Sequence, residues 1–518
     1  MDETQSINIR KIFLLVGGLV VFFMILAMPA PSGVTPSGQR MAAVAVLMAL
    51  WWVGEVVPLA VTSLMPLVLY PLLGILPSKD VAPHYTNHLV FLFMGGFMIA
   101  LAMEKWNLHR RVALVIIRCI GTSPPRIILG FMVSAAFLSM WISNTATTMM
   151  LLPVAIAVVR QIAGQATIQG EHQESTRQSV EHYFGLPLML GLAYAASIGG
   201  VGTLIGTAPN IVFAGFYKTS FPDRPEITFL QWMLVALPIV MVFLPLVWIF
   251  LCRWVSRVPV HKIEVHDGAK NLIDQELKSL GSMHQAERFV AVIFVLTALL
   301  WIFRQPIVLG SLRIPGWSLL FPWGEGIHDA TVAMFMGLVL MLAPLGYPHG
   351  MDREGTKDYF VLDWNTVAEK MPWGILLLFG GGFALAAGFK STGLDRWIGQ
   401  HLSGIQALPL WIVILTLCLG ITFLTEFTSN TATATMILPV IAGASMTTEF
   451  HPLMLIIPVT ISASFAFMMP VATPPNAIVF GSGWVTVPQM FRAGILLNLL
   501  GAVLITVLVL LLVPLFIL

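Results

Sequence analysis

Ser143, Asn144 and Thr145 stand in the middle of the apolar stretch WISNTATTMMLLPV, Trp141 to Val154. Hydroxyl and amide oxygens are hard ligands suited to an alkali cation, and a helix that starts at such a tripeptide turns its N–H donors toward an anion. A single Ser or Thr inside an apolar helix commonly does no more than satisfy neighbouring backbone. That reading loses force here because the stretch recurs as FTSNTATATMILPV, Phe427 to Val440. Between Leu138 and Val154 the copies match at ten of seventeen positions, at a fixed offset of 286. A second interruption is also doubled: Gly206-Thr-Ala-Pro-Asn210 corresponds to Ala472-Thr-Pro-Pro-Asn476 at an offset of 266. Proline removes a backbone donor and disrupts the turn before it, so each break frees carbonyl oxygens. One tip can thus hold a cation on its oxygens and an anion at its helix start. A cation seated beside the anion offsets its charge, which matters because neither tip nor either proline break contains Lys, Arg or His.

The elements that position these groups belong to a membrane protein. Of 518 residues, 57% are hydrophobic and 10% charged, and the mean hydropathy is +0.87. Such a chain is too apolar for water to surround most of its surface. Apolar runs near 10–28, 40–58, 60–76, 88–103, 187–217, 229–252, 288–303, 328–346, 374–389, 453–480 and 492–518 are mostly long enough for a hydrocarbon core that needs roughly 20 helical residues. They predict an all-α polytopic membrane protein with about eleven transmembrane helices. The alternation that a closed barrel requires is missing from runs such as 493–518. The lipid bilayer is the expected partner, and no nucleic acid is. Ala27-Met-Pro-Ala30 after an apolar core looks like a signal-peptide end, but MDETQSINIRK carries no net positive charge and ten more spans follow, so the segment reads as a retained first helix. Cys119, Cys252 and Cys418 lack metal-ligand spacing and predict neither a disulfide framework nor a redox site.

Segments 125–160 and 408–447 each hold two apolar arms around Ser-Asn-Thr. Each arm is about 15–18 residues, at or below the length needed to cross alone, which predicts two re-entrant hairpins buried in protein or lining a wet cavity. Gly95-Gly96-Phe97 pairs with Gly381-Gly382-Phe383, again offset by 286, and reads as close helix packing. An odd number of crossings separates the copies, so the two halves form an inverted-topology repeat of the kind found in secondary transporters. The boundaries expected are a first transmembrane helix in 1–39, a first repeat in 40–252 with its hairpin at 125–160 and broken helix at 187–217, a linker in 253–287, and a second repeat in 288–518 with its hairpin at 408–447 and broken helix at 453–480. Lys and Arg concentrate in 104–127 and 253–288. Both segments are therefore expected in the cytoplasm, with the N-terminus inside and the C-terminus outside an inner (plasma) membrane.

No enzyme is expected. Ser143 and Ser429 lack a GxSxG context, and neither hairpin holds a His to act as base. Glu426 beside the second tip is costly at membrane depth and so a functional candidate by default, but its counterpart is Met140, which turns the reading toward a supporting or structural role. Glu55 near a span end reads as interfacial or structural.

The paired SNTATTMMLLPV and SNTATATMILPV, with GTAPN and ATPPN, resemble the divalent anion/sodium symporter family of sodium-coupled dicarboxylate and citrate transporters, over nearly the whole chain. The resemblance implies a homodimer in which each protomer has a scaffold domain and a transport domain that moves as an elevator. It implies one sodium site on Ser139, Ser143, Asn144 and carbonyls near Gly206, and another on Thr425, Thr428, Asn430 and carbonyls near Ala472. It places the dianion on Ser143, Asn144, Thr145, Ser429, Asn430 and Thr431, with Thr207, Thr473 and Pro474 close by. Ala208 stands where the second break has Pro474, so the halves need not contribute equally. The implied activity is sodium-coupled symport of C4-type dicarboxylates (succinate, malate, fumarate), with sodium co-transported. A dicarboxylate exchanger on the same fold, or citrate or sulfate as main substrate, stays open.

Overall fold

The computed structural model describes residues 9–165, 173–256, 268–309, 312–351, 357–401 and 407–518. The first eight residues and much of the expected linker, 257–267, lie outside that set. Two packed helices, α1 (Ile9–Ala27) and α2 (Pro36–Gly54), begin the fold, and Thr35 Oγ1 caps α2 by accepting from Gly38 N at 3.0 Å. The span expected at 60–76 is two pieces, α3 (Leu59–Ser63) and α4 (Met65–Leu73), because Pro66 has no N–H to carry the ladder past Leu64. Next come α5 (Ser78–Val81), α6 (His88–Lys105) and α7 (Leu108–Ile120).

The first tip joins α8 (Pro124–Ser139) to α9 (Asn144–Gln165), and the first proline break separates α10 (Gln173–Gly200) from α11 (Ala208–Ser220). Then follow α12 (Phe229–Phe250), α13 (Gly268–Ser279), α14 (Gln285–Ile302), α15 (Asp329–Leu342), α16 (Trp364–Lys370), α17 (Trp373–Thr392) and α18 (Leu394–His401). The second tip joins α19 (Leu410–Thr425) to α20 (Asn430–Met446), the second break separates α21 (Pro452–Ser462) from α22 (Pro474–Phe480), and α23 (Val487–Phe516) completes the fold. Among the described residues seven helices are long and apolar enough to cross a membrane, and six apolar segments are shorter. The runs expected at 10–28 and 328–346 fall in the shorter class.

The chain is mostly helical rather than all-α. Ile307–Leu309 (β1) pairs antiparallel with Leu312–Ile314 (β2), and Pro344–Met351 (β3) with Lys357–Phe360 (β4). The apolar run expected to continue to 346 stops as helix at Leu342, since Pro344 lacks a donor and Gly346 and Pro348 follow. The basic segment 104–127 forms the amphipathic α7, whose arginines meet acidic partners: Arg110 with Glu276, Arg118 with Asp274 at 3.1 Å, and Arg111 with Glu287 at 2.5 Å. The two Lys/Arg-rich segments therefore lie against each other, on the same side of the fold.

The Gly-Gly-Phe pair packs helices closely. A Cβ on Gly95 would sit 2.4 Å from the carbonyl carbon of Ala333 in α15, and one on Gly381 2.5 Å from the Ser63 carbonyl oxygen in α3. Neither neighbour is a flexible side-chain end, so the methyl forces helices apart. Gly420, with nothing within 4 Å of its Cβ position, is the control. Gly95→Ala and Gly381→Ala are each expected to destabilise by about 1–3 kcal/mol, seen as a lower melting temperature of the purified protein, whereas Gly420→Ala leaves it unchanged or raised. Equal melting of all three variants would contradict the packing role.

Candidate functional site

Proline decides where the broken helices restart. Pro209 occupies the second position of α11, and Pro474 and Pro475 the first two of α22, places where a missing N–H costs nothing. Ahead of them the backbone is non-helical over 201–207 and 463–473. The side chain of one Asn gathers each loop. Asn210 Nδ2 donates to the carbonyls of Thr203 at 2.7 Å and Val201 at 3.2 Å, and Asn476 Nδ2 to those of Ala466 and Met469, both at 3.1 Å. Both asparagines are fully buried, and Oδ1 of each has no hydrogen-bond partner. Their place in the motifs does not by itself signal this role, which only the fold reveals.

The tips are built alike. Ser139 Oγ donates to Asn144 Oδ1, and at the equivalent positions Thr425 Oγ1 donates to Asn430 Oδ1 at 2.8 Å. Helices α9 and α20 start at those asparagines, so their N–H ends point out of the tips. Ser143 Oγ accepts from Ala146 N at 3.2 Å, whereas Ser429 makes no side-chain cap bond, so the two serines are not equally engaged by their own helices.

Both tips and both breaks line one cavity of about 680 Å³. Ser143, Asn144, Thr145, Gly206 and Thr207 reach it from the first half, and Thr428, Ser429, Asn430, Thr431, Ala472, Thr473 and Pro474 from the second. Ser139 and Thr425 do not; each is fully buried behind its Asn. Trp141, Phe93 and Phe97 add apolar wall, and Lys11 and Glu55 also line the cavity, a placement that their sequence surroundings do not signal. Glu55 closes α2 in the left-handed region, at φ 44°.

In the first half four oxygens and the Asn144 amide nitrogen crowd the Cβ positions of two glycines. A Cβ on Gly200 would lie 2.6 Å from Asn144 Oδ1 and 3.2 Å from the Gly206 carbonyl oxygen, and one on Gly206 would lie 2.4 Å from the Gly200 oxygen and 2.9 Å from that of Ser139. Such a set of neutral oxygens suits a hard monovalent cation, and it tolerates no side chain at either glycine. Nothing in the sequence marked Gly200, because its nearest neighbour in this set, Asn144, lies on another helix.

The second half differs in chemistry. Glu426 is fully buried and receives four donors: Phe467 N at 2.6 Å, Met468 N at 2.9 Å and Asn498 Nδ2 at 2.7 Å on Oε1, and Met469 N at 3.0 Å on Oε2. It thereby holds the non-helical loop before α22. At the matching place of the first half Thr203 Oγ1 donates to the Met140 carbonyl, so a neutral contact replaces a carboxylate. Glu426→Gln turns an amide donor toward one of these N–H groups. It is expected to cost about 1–3 kcal/mol, read as a fall in melting temperature of the purified protein; an unchanged melting temperature would show that the carboxylate is not what holds the loop.

The whole described chain is recognisable. Residues 9–518 match the family model for the sodium:sulfate symporter transmembrane region. The chain belongs to that family of membrane transporters, and is not an enzyme. It is 39% identical over 512 residues to the sodium-dependent dicarboxylate transporter SdcS of Staphylococcus saprophyticus, covering 99% of this chain and 93% of that one. Identity to SdcS of Staphylococcus aureus strain MRSA252 is also 39%, over 500 residues and covering 96% and 91% of the two chains. The fold resembles the YdaH transporter of Alcanivorax borkumensis (TM-score 0.52, 12% identity, 96% of both chains) and MtrF of Neisseria gonorrhoeae (TM-score 0.53, 12% identity, 97% and 93%).

Proposed function

We propose that this chain is a sodium-coupled symporter of C4-type dicarboxylates such as succinate, malate and fumarate. The convergence of both Ser-Asn-Thr tips and both proline breaks on one cavity carries the reading. The SdcS relatives, named as sodium-dependent dicarboxylate transporters, support its substrate class and its coupling ion. One sodium ion is assigned to Ser143, Asn144 and the Gly206 carbonyl with Ser139 behind them, and another to Thr428, Asn430 and the Ala472 carbonyl with Thr425 behind them. The dianion lies between, on Ser143, Asn144, Thr145, Ser429, Asn430 and Thr431, close to Thr207, Thr473 and Pro474. Helix N-termini at the tips favour its carboxylates, and the sodium charges offset its own.

The transporter is read as two inverted repeats, 40–252 and 288–518, after a first helix in 1–39 and with a linker at 253–287. Segments around 125–160 and 408–447 are its re-entrant hairpins, and the halves of the cavity ride on a transport domain that moves against a scaffold in a homodimer. The N-terminus is cytoplasmic and the C-terminus outside. The matching hydrogen bonds at positions 139 and 425, and at 210 and 476, support the repeat.

Purified protein in liposomes is expected to accumulate labelled succinate only under an inward sodium gradient. Equal uptake in choline with dicarboxylate inside would overturn symport in favour of exchange. Asn144→Ala, Asn430→Ala and Gly200→Ala are each expected to raise the sodium concentration for half-maximal uptake about tenfold, the equivalent of roughly 1.4 kcal/mol per ligand set. Unchanged sodium dependence in all three would falsify the site assignment.

A further inference from the structure

Away from the cavity, three side chains from separate parts of the chain meet. His88 opens α6, Glu226 lies in the connection between α11 and α12, and His328 precedes α15. Their nearest nitrogen and oxygen atoms all fall within 4.8 Å of one another, the one such set of three His, Cys, Asp or Glu among the described residues. None of the three lines the central cavity. Glu226 Oε2 is 3.4 Å from His88 Nε2 and 3.4 Å from His328 Nδ1, and the two imidazoles lie with centroids 4.8 Å apart. Zinc bonds of about 2.0–2.2 Å at a tetrahedral angle place neighbouring ligand atoms about 3.3–3.5 Å apart. Both Glu226 distances fall in that window, and both converge on one carboxylate oxygen.

The surroundings fit a ligand set better than an ordinary ion pair. His88 Nε2 is sealed from solvent and has no hydrogen-bond partner of acceptable geometry. The other carboxylate oxygen, Glu226 Oε1, is held by Lys218 Nζ at 3.5 Å, which orients the carboxylate and leaves Oε2 facing the histidines. Nearby Asp329 is already engaged, by Arg304 on Oδ1 and by Phe229 N at 3.0 Å on Oδ2.

We propose that His88, Glu226 and His328 form a site for a divalent transition-metal ion, zinc by its ligand chemistry, that pins the α11–α12 connection to the starts of α6 and α15. Two imidazoles and a carboxylate suit zinc, and too few oxygens gather for calcium or magnesium. Metal binding stands on the three side chains alone; its effect on uptake rests on the transport reading above, because the ion joins the segment between the first broken helix and α12 to two other helices.

Chelator-stripped, detergent-purified protein is titrated with zinc by calorimetry and with cobalt(II) by visible absorption. One zinc per chain, a tetrahedral cobalt spectrum and no response to magnesium or calcium are expected, with zinc affinity falling at least about tenfold in His88→Gln, His328→Gln and Glu226→Gln. No zinc binding by the wild type, or an affinity unchanged from wild type in all three variants, overturns the site. In liposomes carrying zinc on both sides, wild-type uptake is expected to slow and that of His88→Gln to be spared. Zinc binding without any slowing overturns the pinning. Absence of succinate uptake in zinc-free liposomes instead counts against the transport reading, while the titration still reports on the metal.

Discussion

Backbone N–H and C=O groups released from a helix must find partners, and in a hydrocarbon medium water is not there to supply them. Everything around the cavity follows from how this chain meets that demand. Asn210 and Asn476 draw freed carbonyls together with their side-chain amides, and Glu426 collects the freed N–H groups of Phe467, Met468 and Met469. The loops are therefore fixed without being helical. Carbonyls not drawn inward by the asparagines, such as that of Gly206, stay beside the cavity and next to Asn144. The same breaks that threaten stability thus supply the ligands.

A cavity built this way is rich in dipoles and poor in charge. Neither tip nor either break brings a cationic side chain to it, and Lys11 comes from the first helix instead. Helix starts at Asn144 and Asn430 carry partial positive charge, too little to offset two carboxylates. On the proposed reading a sodium ion on each tip would close that gap, which would make the anion depend on the cation. The two halves are not copies in energy, since the buried Glu426 carboxylate has a neutral counterpart at Met140.

Much of this was legible in the residues. Doubled Ser-Asn-Thr and doubled proline motifs are local signals, and the structure brings both pairs to one cavity because polar groups in an apolar run have few other places to go. Helix ends at Pro66 and Pro344 were missed for a related reason: hydropathy alone treats an apolar proline as part of a run, while its missing N–H ends the helix. Gly200 was invisible because its contacts, Asn144 and Gly206, are made across a fold and not along a helix face. His88, Glu226 and His328 are more than 100 residues apart from one another in sequence, with no shared motif, so only the packing of α6, α15 and the α11–α12 connection reveals them.

The central claim is that the dianion site is completed by sodium and is not a preformed anion pocket. Calorimetric titration of succinate into purified protein, in matched sodium and choline buffers without any membrane gradient, tests it most directly. Saturable binding is expected in sodium, with at least about a tenfold loss of affinity in choline. Equal affinity in the two buffers would contradict it, since the cavity would then hold the anion with its own dipoles alone.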